Sequence, residues 1–401
     1  MQARFSTLLV RRIMLVVTAV LLVSASGIVG TLTADWGFWK RYLNLPSDPG
    51  EMPDSFYRPT EGIDGPAAAF FQAASAEEAG IDAAALESAA KYAEANNSVA
   101  FIVLRHGKVV MERYWQGMTP AQSFSGRAMS RSLVGFAYGF AVTEGLVSLD
   151  DPARKYLPEW ADDHRGTITL RQMLQNVSGL EETQPDDRNP FGKATRLSLG
   201  TDFAQTALSF GLEHEIGGRF AWSNVNAQVL GIILERATGM RYARFIEQRL
   251  WRPLGAGHAE FYLDRDRGMP AVYCCFRALP RDFARLGQLL ANDGALGMTQ
   301  VLPRGWVAKL RQTTGVNPLY GFQIWSGRAQ PGIREYLTGS GTGVRHGEAF
   351  ATDDVVWMEG GGGRSVWAIP SRQLVIVRLG RATKTWDASV LPNTIYRGLK
   401  N

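Results

Sequence analysis

A serine and a lysine one helical turn apart can perform acyl transfer: residues i and i+3 share a helix face, and the amine can take the hydroxyl proton. The chain holds one literal Ser-x-x-Lys, Ser88-Ala89-Ala90-Lys91, inside the alanine-rich stretch AGIDAAALESAAKYAEAN. Such a four-residue match arises readily by chance in a chain of 401 residues, and the setting reads as an outer helix. Ser130 and Ser132 flank Arg131 in RAMSRSLVGFAYGF. Arg131 cannot serve as a base near neutral pH, because a guanidinium stays protonated. Ser132 follows Ala128 by four residues and shares its face, whereas Ser130 points about 200° away and needs a shifted helix start to reach a cleft. Both read as ordinary helix serines, with Ser130 the fallback nucleophile. Four consecutive glycines, Gly360 to Gly363, follow Glu359 and suit either a close backbone approach to a ligand carbonyl or a turn into the last strand. Gly339 to Gly343 (GSGTG) lacks the lysine and the strand-to-helix setting of a phosphate loop, and reads as a surface loop.

The elements that must position these groups follow from periodicity. A helix starts near Asp82, and SVAFIVLRHGKVVMERYW then gives two strands around a glycine turn at His106-Gly107-Lys108. The central region is mainly helical with turn-rich connectors. Near the C-terminus RSVWAIPSRQLVIVRLG is a second hairpin, turning at Pro370-Ser371-Arg372 and leading into a helix toward Leu399. The expected fold is α/β (α+β): an antiparallel sheet formed from N- and C-terminal segments, flanked by helices, with an inserted mainly helical lobe at about 120–270. A cleft between sheet and lobe is the natural ligand site.

The phrases VLRHGKVVMERYW, TEGLVSLDDPARKYLPEW, ITLRQMLQNVSGL, FAWSNVNAQVLGIILERATG, RLWRPLGAGHAEF, RDFARLGQLLANDG and RSVWAIPSRQLVIVRLG stand in this order from about Gly80 onward. Together they resemble the serine beta-lactamase and penicillin-binding-protein-like family, especially its esterase and 6-aminohexanoate-dimer-hydrolase branch. The resemblance implies three site motifs: Ser-x-x-Lys at a helix start, Tyr-x-Asn or Tyr-Ser-Asn from the helical lobe, and a glycine-rich edge strand whose N–H groups face the oxyanion. Counted from Gly145, the nucleophile position falls on Ala128 and the base position on Arg131. Trp222 stands at the tyrosine position before Ser223 and Asn224, and an indole has no oxygen to relay a proton. Counted from Pro370, Glu359 precedes the glycines, where a carboxylate would repel developing negative charge.

These four departures complement one another. Arg131 and Glu359 are expected to pair across a narrowed cleft lined by Ala128, Arg131, Trp222, Asn224, Gly360, Gly361 and Gly362, with Trp222 filling space. The leading expectation is a family member without catalysis that binds or scaffolds. A small molecule, an acyl chain, a peptide or cell-wall fragment, or a protein partner could occupy it. The alternative is an esterase or amidase using a displaced serine such as Ser130.

The N-terminus suggests where this happens. Arg4, Arg11 and Arg12 precede a run from Ile13 to Ala34 without a charged residue, followed by Trp36, Phe38, Trp39 and Tyr42. About 22 residues at 1.5 Å each reach roughly 33 Å, enough to cross a bilayer core. The expected order is a cytoplasmic N-terminus (1–12), a transmembrane signal anchor (13–34), an extended Pro- and Gly-rich linker (35–66) and the beta-lactamase-like domain (67–401). That places the protein in the bacterial inner membrane as a single-pass chain with its domain in the periplasm; a cleaved signal peptide ending near Ser24-Ala25-Ser26 is the rival. A net charge of +5 without a dense basic run gives no reason to expect nucleic acid. Cys274 and Cys275 are adjacent and are expected as buried thiols rather than a vicinal disulfide. His106, His164, His214, His258 and His346 lack ligand spacing, so neither a metal nor another cofactor is expected. Asn176-Val177-Ser178 matches a glycosylation sequon but lies within a family-like phrase and is given little weight.

Overall fold

The computed structural model describes residues 35–46, 56–182 and 188–400; the expected membrane anchor (13–34) and the cytoplasmic segment (1–12) lie outside them. Eight strands and six helices suffice to place the site. The helices are α1 (Trp36–Leu43), α2 (Ala83–Ala95), α3 (Ser130–Thr143), α4 (Asn224–Thr238), α5 (Pro280–Ala291) and α6 (Val390–Arg397). The strands are β1 (Ser98–Arg105), β2 (Lys108–Tyr114), β3 (Trp325–Ser326), β4 (Gly332–Glu335), β5 (Gly343–His346), β6 (Val356–Gly360), β7 (Arg364–Ile369) and β8 (Leu374–Gly380).

Six of the strands form one sheet in the order β2-β1-β8-β7-β6-β3, all its pairings antiparallel. The N-terminal hairpin therefore lies beside the last strand, as the sequence pattern predicts. Its turn places His106 and Gly107 at φ of 52° and 70°, the paired left-handed conformation that matches strand twist. The central strands read as nearly continuous apolar runs because both faces are covered. Phe101, Val103, Trp367 and Ile376 face one core with α2 and α6, while Ile102, Leu104, Val366 and Val375 face the other with α5. A Cβ at Gly287 of α5 would collide with Val375 and Val366, so glycine is what lets α5 lie close against the sheet.

The helical lobe is centred on α3, whose residues from Ser130 to Ala141 are all buried. It packs against α4, which starts at the Ser223 cap (hydroxyl accepting from the Val225 N–H, 3.2 Å) and ends at Gly239 in the left-handed conformation. The fold class stands as expected.

Part of the segment expected as an extended linker is instead folded. α1 buries Phe38 and Trp39 against Leu199 of the lobe, and Thr60–Ile63 pairs antiparallel with Ala259–Tyr262. The physical reason is the aromatic cluster itself, which gains more by burying rings against the lobe than by remaining solvated. The cysteines also depart from expectation: Cys274 and Cys275 form a vicinal disulfide, with Cys275 at a φ of 74°.

Candidate functional site

The nucleophile position lies on a short 3-10 turn, Arg127–Met129, that leads into α3. Two hydrogen bonds fix this turn to the segment at the disulfide: Gly126 N–H to the Phe276 carbonyl (2.9 Å) and Cys275 N–H to the Arg127 carbonyl (3.1 Å). Arg127 is held at a φ of 51°, a conformation that a non-glycine residue keeps only when its surroundings impose it. Ala128 is half-buried, and its methyl group offers no lone pair.

Neither neighbouring serine presents a free hydroxyl. Ser130 is 1% exposed; its hydroxyl donates to the Arg127 carbonyl (2.7 Å) and accepts from the Phe276 N–H (3.1 Å). Buried Ser132 donates to the Gln323 carbonyl at 3.0 Å. Both act as ties within the fold. Ser88 and Lys91 are exposed on α2, which packs against α6 and β1.

One turn beyond Ala128, the guanidinium of Arg131 is buried. It lies over the Trp222 ring at 4.1 Å and donates to Asn224 Oδ1. Burial pushes its pKa down to about 10, opposed by the nearby Tyr320, Tyr336 and Tyr273. It therefore remains a cation at neutral pH. The structure brings Arg131, Trp222 and Asn224 together.

Arg131 and Glu359 do not pair. Glu359 forms a buried ion pair with Arg334 of β4 and accepts from the Tyr336 hydroxyl (3.0 Å) and the Trp357 indole N–H (3.2 Å). Arg334 in turn lies over the Trp325 ring at 3.8 Å. The expected bridge is replaced because the β4–β5 hairpin carries a nearer cation to the carboxylate. The same neutralisation removes most of the repulsion expected from an acid before the glycines.

This hairpin acts as a strap. Past Arg334, the Tyr336 ring stacks on Trp222 (centroids 4.5 Å apart, 21° between planes), and the Trp222 N–H donates to the Tyr336 carbonyl at 2.7 Å. Ala221 bridges to Leu337, and the Thr338 N–H reaches the Phe220 carbonyl at 3.2 Å. The strap thus joins the sheet at Glu359 to the lobe at Trp222. Gly339 to Gly343 forms its tip, where Glu335 accepts from the Gly339 and Gly341 N–H groups (2.6 and 2.8 Å).

The glycine run divides into two roles. Gly360 abuts the 3-10 turn, since a Cβ there would collide with the Gly126 carbonyl oxygen. Gly361 and Gly362 are exposed in the β6–β7 turn, with Gly362 and Gly363 at φ of 77° and 71°. The sequence reading missed Arg334, Tyr336, Tyr320 and His346. A signal for the first two was present: they are two apart in a strand-like stretch and so share a face.

Away from this site, an open cavity of about 410 Å³ lies between α2 and the outer strand β2, beside Leu86, Glu87, Val109 and Arg113. Among the described residues Glu182, Glu213 and His214 bring possible ligand atoms within 4.8 Å of one another. Arg219 already supplies a cation there, 3.1 Å from His214 Nε2 and 3.6 Å from Glu182.

The beta-lactamase family model matches residues 83–394. The chain belongs to the beta-lactamase family. Among curated relatives, the 6-aminohexanoate-dimer hydrolase of Paenarthrobacter ureafaciens is 27% identical over 219 residues, 52% of this chain and 55% of that protein. Protein flp of Staphylococcus aureus (strain COL) is 24% identical over 173 residues, 40% of this chain and 34% of that one. The chain thus spans about half of the first relative and a third of the second. Among solved structures, EstCE1, a hydrolase with promiscuous acyltransferase activity, superposes with a TM-score of 0.60 at 18% identity, covering 81% of this chain and 100% of that chain. A penicillin-binding-protein homologue from Caulobacter crescentus gives 0.58 at 15% identity, covering 79% and 97%. At these identities the structural matches speak to the fold, which is the family's.

Proposed function

We propose that this family member has lost acyl transfer and serves as a membrane-anchored, exported binding or scaffolding protein. The observation that carries the reading is the closed cluster at the motif positions: a buried Arg131 stacked on Trp222, with Trp222 covered in turn by Tyr336 of the strap. Each catalytic task lacks its agent. Ala128 cannot attack a carbonyl, Arg131 holds its proton, and Trp222 cannot relay one. The rival reading, hydrolysis through Ser130, meets a hydroxyl whose proton is committed to a backbone carbonyl in a position closed to solvent.

The strap fills the family's cleft, so a ligand of peptide, acyl or cell-wall type would meet the closed junction from outside; the fold can outlive the reaction it once served. Support for the anchor comes from the uncharged run at Ile13 to Ala34 behind Arg4, Arg11 and Arg12, which favours a single pass through the bacterial inner membrane with the domain in the periplasm. Among the described residues no helix is long and apolar enough to cross a membrane.

The test is ester turnover. The purified chain is expected to hydrolyse p-nitrophenyl acetate no faster than its Ser130→Ala variant, and neither above a non-enzymatic protein control. Turnover that disappears in Ser130→Ala would overturn the proposal.

A further inference from the structure

The outer face of α1 exposes two large apolar side chains on either side of a lysine. Trp36, Lys40 and Leu43 stand at i, i+4 and i+7 and therefore form one stripe. Trp36 is 57% exposed and Leu43 65% exposed. Phe191, 72% exposed, flanks the stripe with its ring 6.1 Å from that of Trp39.

This face is held rigidly on the lobe. Asp35 caps the helix through the Phe38 N–H (3.2 Å), pairs with Arg196 (2.8 Å) and accepts from the Thr201 hydroxyl (2.9 Å). Arg196 lies over the Phe38 ring at 3.6 Å. Arg41 donates to the Gly200 and Asp264 carbonyls (2.7 and 2.6 Å), and the Tyr42 hydroxyl donates to the Arg188 carbonyl (2.8 Å).

The uncharged run ends at Ala34, one residue before this bolted cap. One residue spans at most about 3.6 Å, so a membrane segment ending there leaves the lobe no slack. We infer that the Trp36–Lys40–Leu43 stripe, with Phe191, rests in the headgroup region of the bilayer and fixes the lobe on the membrane surface. The chemistry fits that occupant: tryptophan favours the membrane–water interface, leucine and phenylalanine enter its apolar side, and Lys40 faces anionic headgroups. The inference rests on the membrane-anchored reading proposed above. It replaces a domain tethered at a distance with one docked in a set orientation.

Spin labelling of the full chain in nanodiscs of phosphatidylcholine and phosphatidylglycerol tests it. Nitroxides are placed singly at Leu43→Cys, Phe191→Cys and, as a water-exposed reference, Met298→Cys, a residue whose side chain is fully exposed. All three are surface positions, so folding is preserved, and the parental chain measures any labelling at Cys274 and Cys275. The expected result is a several-fold higher ratio of oxygen to nickel-chelate collisions at 43 and 191 than at 298. Ratios equal to that at 298 in a chain that is embedded would overturn the docking while leaving the anchor intact. Labels shielded from both reagents would also overturn it and point to a protein partner or second copy. A chain that does not enter the nanodiscs would overturn the anchor and the docking together.

Discussion

Glu359→Ala is expected to lower the free energy of unfolding by about 3–5 kcal/mol, the range for removing one member of a buried ion pair. The substitution leaves Arg334 as an uncompensated cation among Trp325, Trp357 and Tyr336, and strips the Tyr336 hydroxyl and the Trp357 indole of their acceptor. Replacing both charges by apolar groups of similar volume is expected to cost far less, because the penalty lies in the unpaired charge rather than in the lost attraction. Urea unfolding of Glu359→Ala and of Arg334→Met with Glu359→Met distinguishes the two cases. A single variant as stable as the parent would show that water reaches Arg334 and that the strap is not closed over a buried pair.

The second large effect concerns acid. His346, at the end of β5, is 1% exposed and neither ring nitrogen has a hydrogen-bond partner in the protein. Burial lowers its pKa from 6.5 to about 4; the adjacent Arg334 adds to this, and Glu359 and Asp387 oppose it. The folded chain therefore resists a proton that the unfolded chain accepts. Above pH 6.5 its titration adds no pH dependence to stability; as pH falls from 6.5 toward about 4 the unfolded state binds the proton and stability drops. At about 1.4 kcal/mol per pH unit, the loss across that interval is roughly 3 kcal/mol. Comparing the parent with His346→Phe by urea unfolding at about pH 7 and about pH 4.5 isolates it from the general effect of carboxylate protonation. The variant is expected to lose about 2.5 kcal/mol less than the parent between those points. Equal losses would mean that His346 titrates normally and that the strap admits water.

Local pattern made much of this legible. The motif positions at Ala128, Arg131 and Trp222 could be counted from flanking phrases because register along a helix or strand is rigid. The hairpin at His106-Gly107 could be read from turn chemistry. What escaped was long-range. Arg334 reaches Glu359 across 25 residues through a strap whose course depends on contacts at Ala221 and Trp222, and nothing near Glu359 announces its partner. The aromatic run after Ala34 fits an interface anchor by composition, and composition does not say which rings turn inward. The structure assigns Phe38 and Trp39 to the lobe and leaves Trp36 facing outward. Adjacent cysteines carry no spacing information, so only the backbone conformation at Cys275 could decide between thiols and a disulfide.

The site's chemistry follows from those long-range contacts. Alanine stands at the serine position, and the strap brings an arginine to Glu359 and a ring to Trp222, so the motif positions form a packed junction between sheet and lobe. The measurement that tests this most directly is intact mass of the folded chain after treatment with a fluorophosphonate or a fluorescent penicillin, alongside Ser130→Ala and Ser132→Ala. The account predicts unmodified mass in all three. A stoichiometric adduct on the parent that Ser130→Ala or Ser132→Ala abolishes would contradict it, and would make the chain a working hydrolase with a displaced nucleophile.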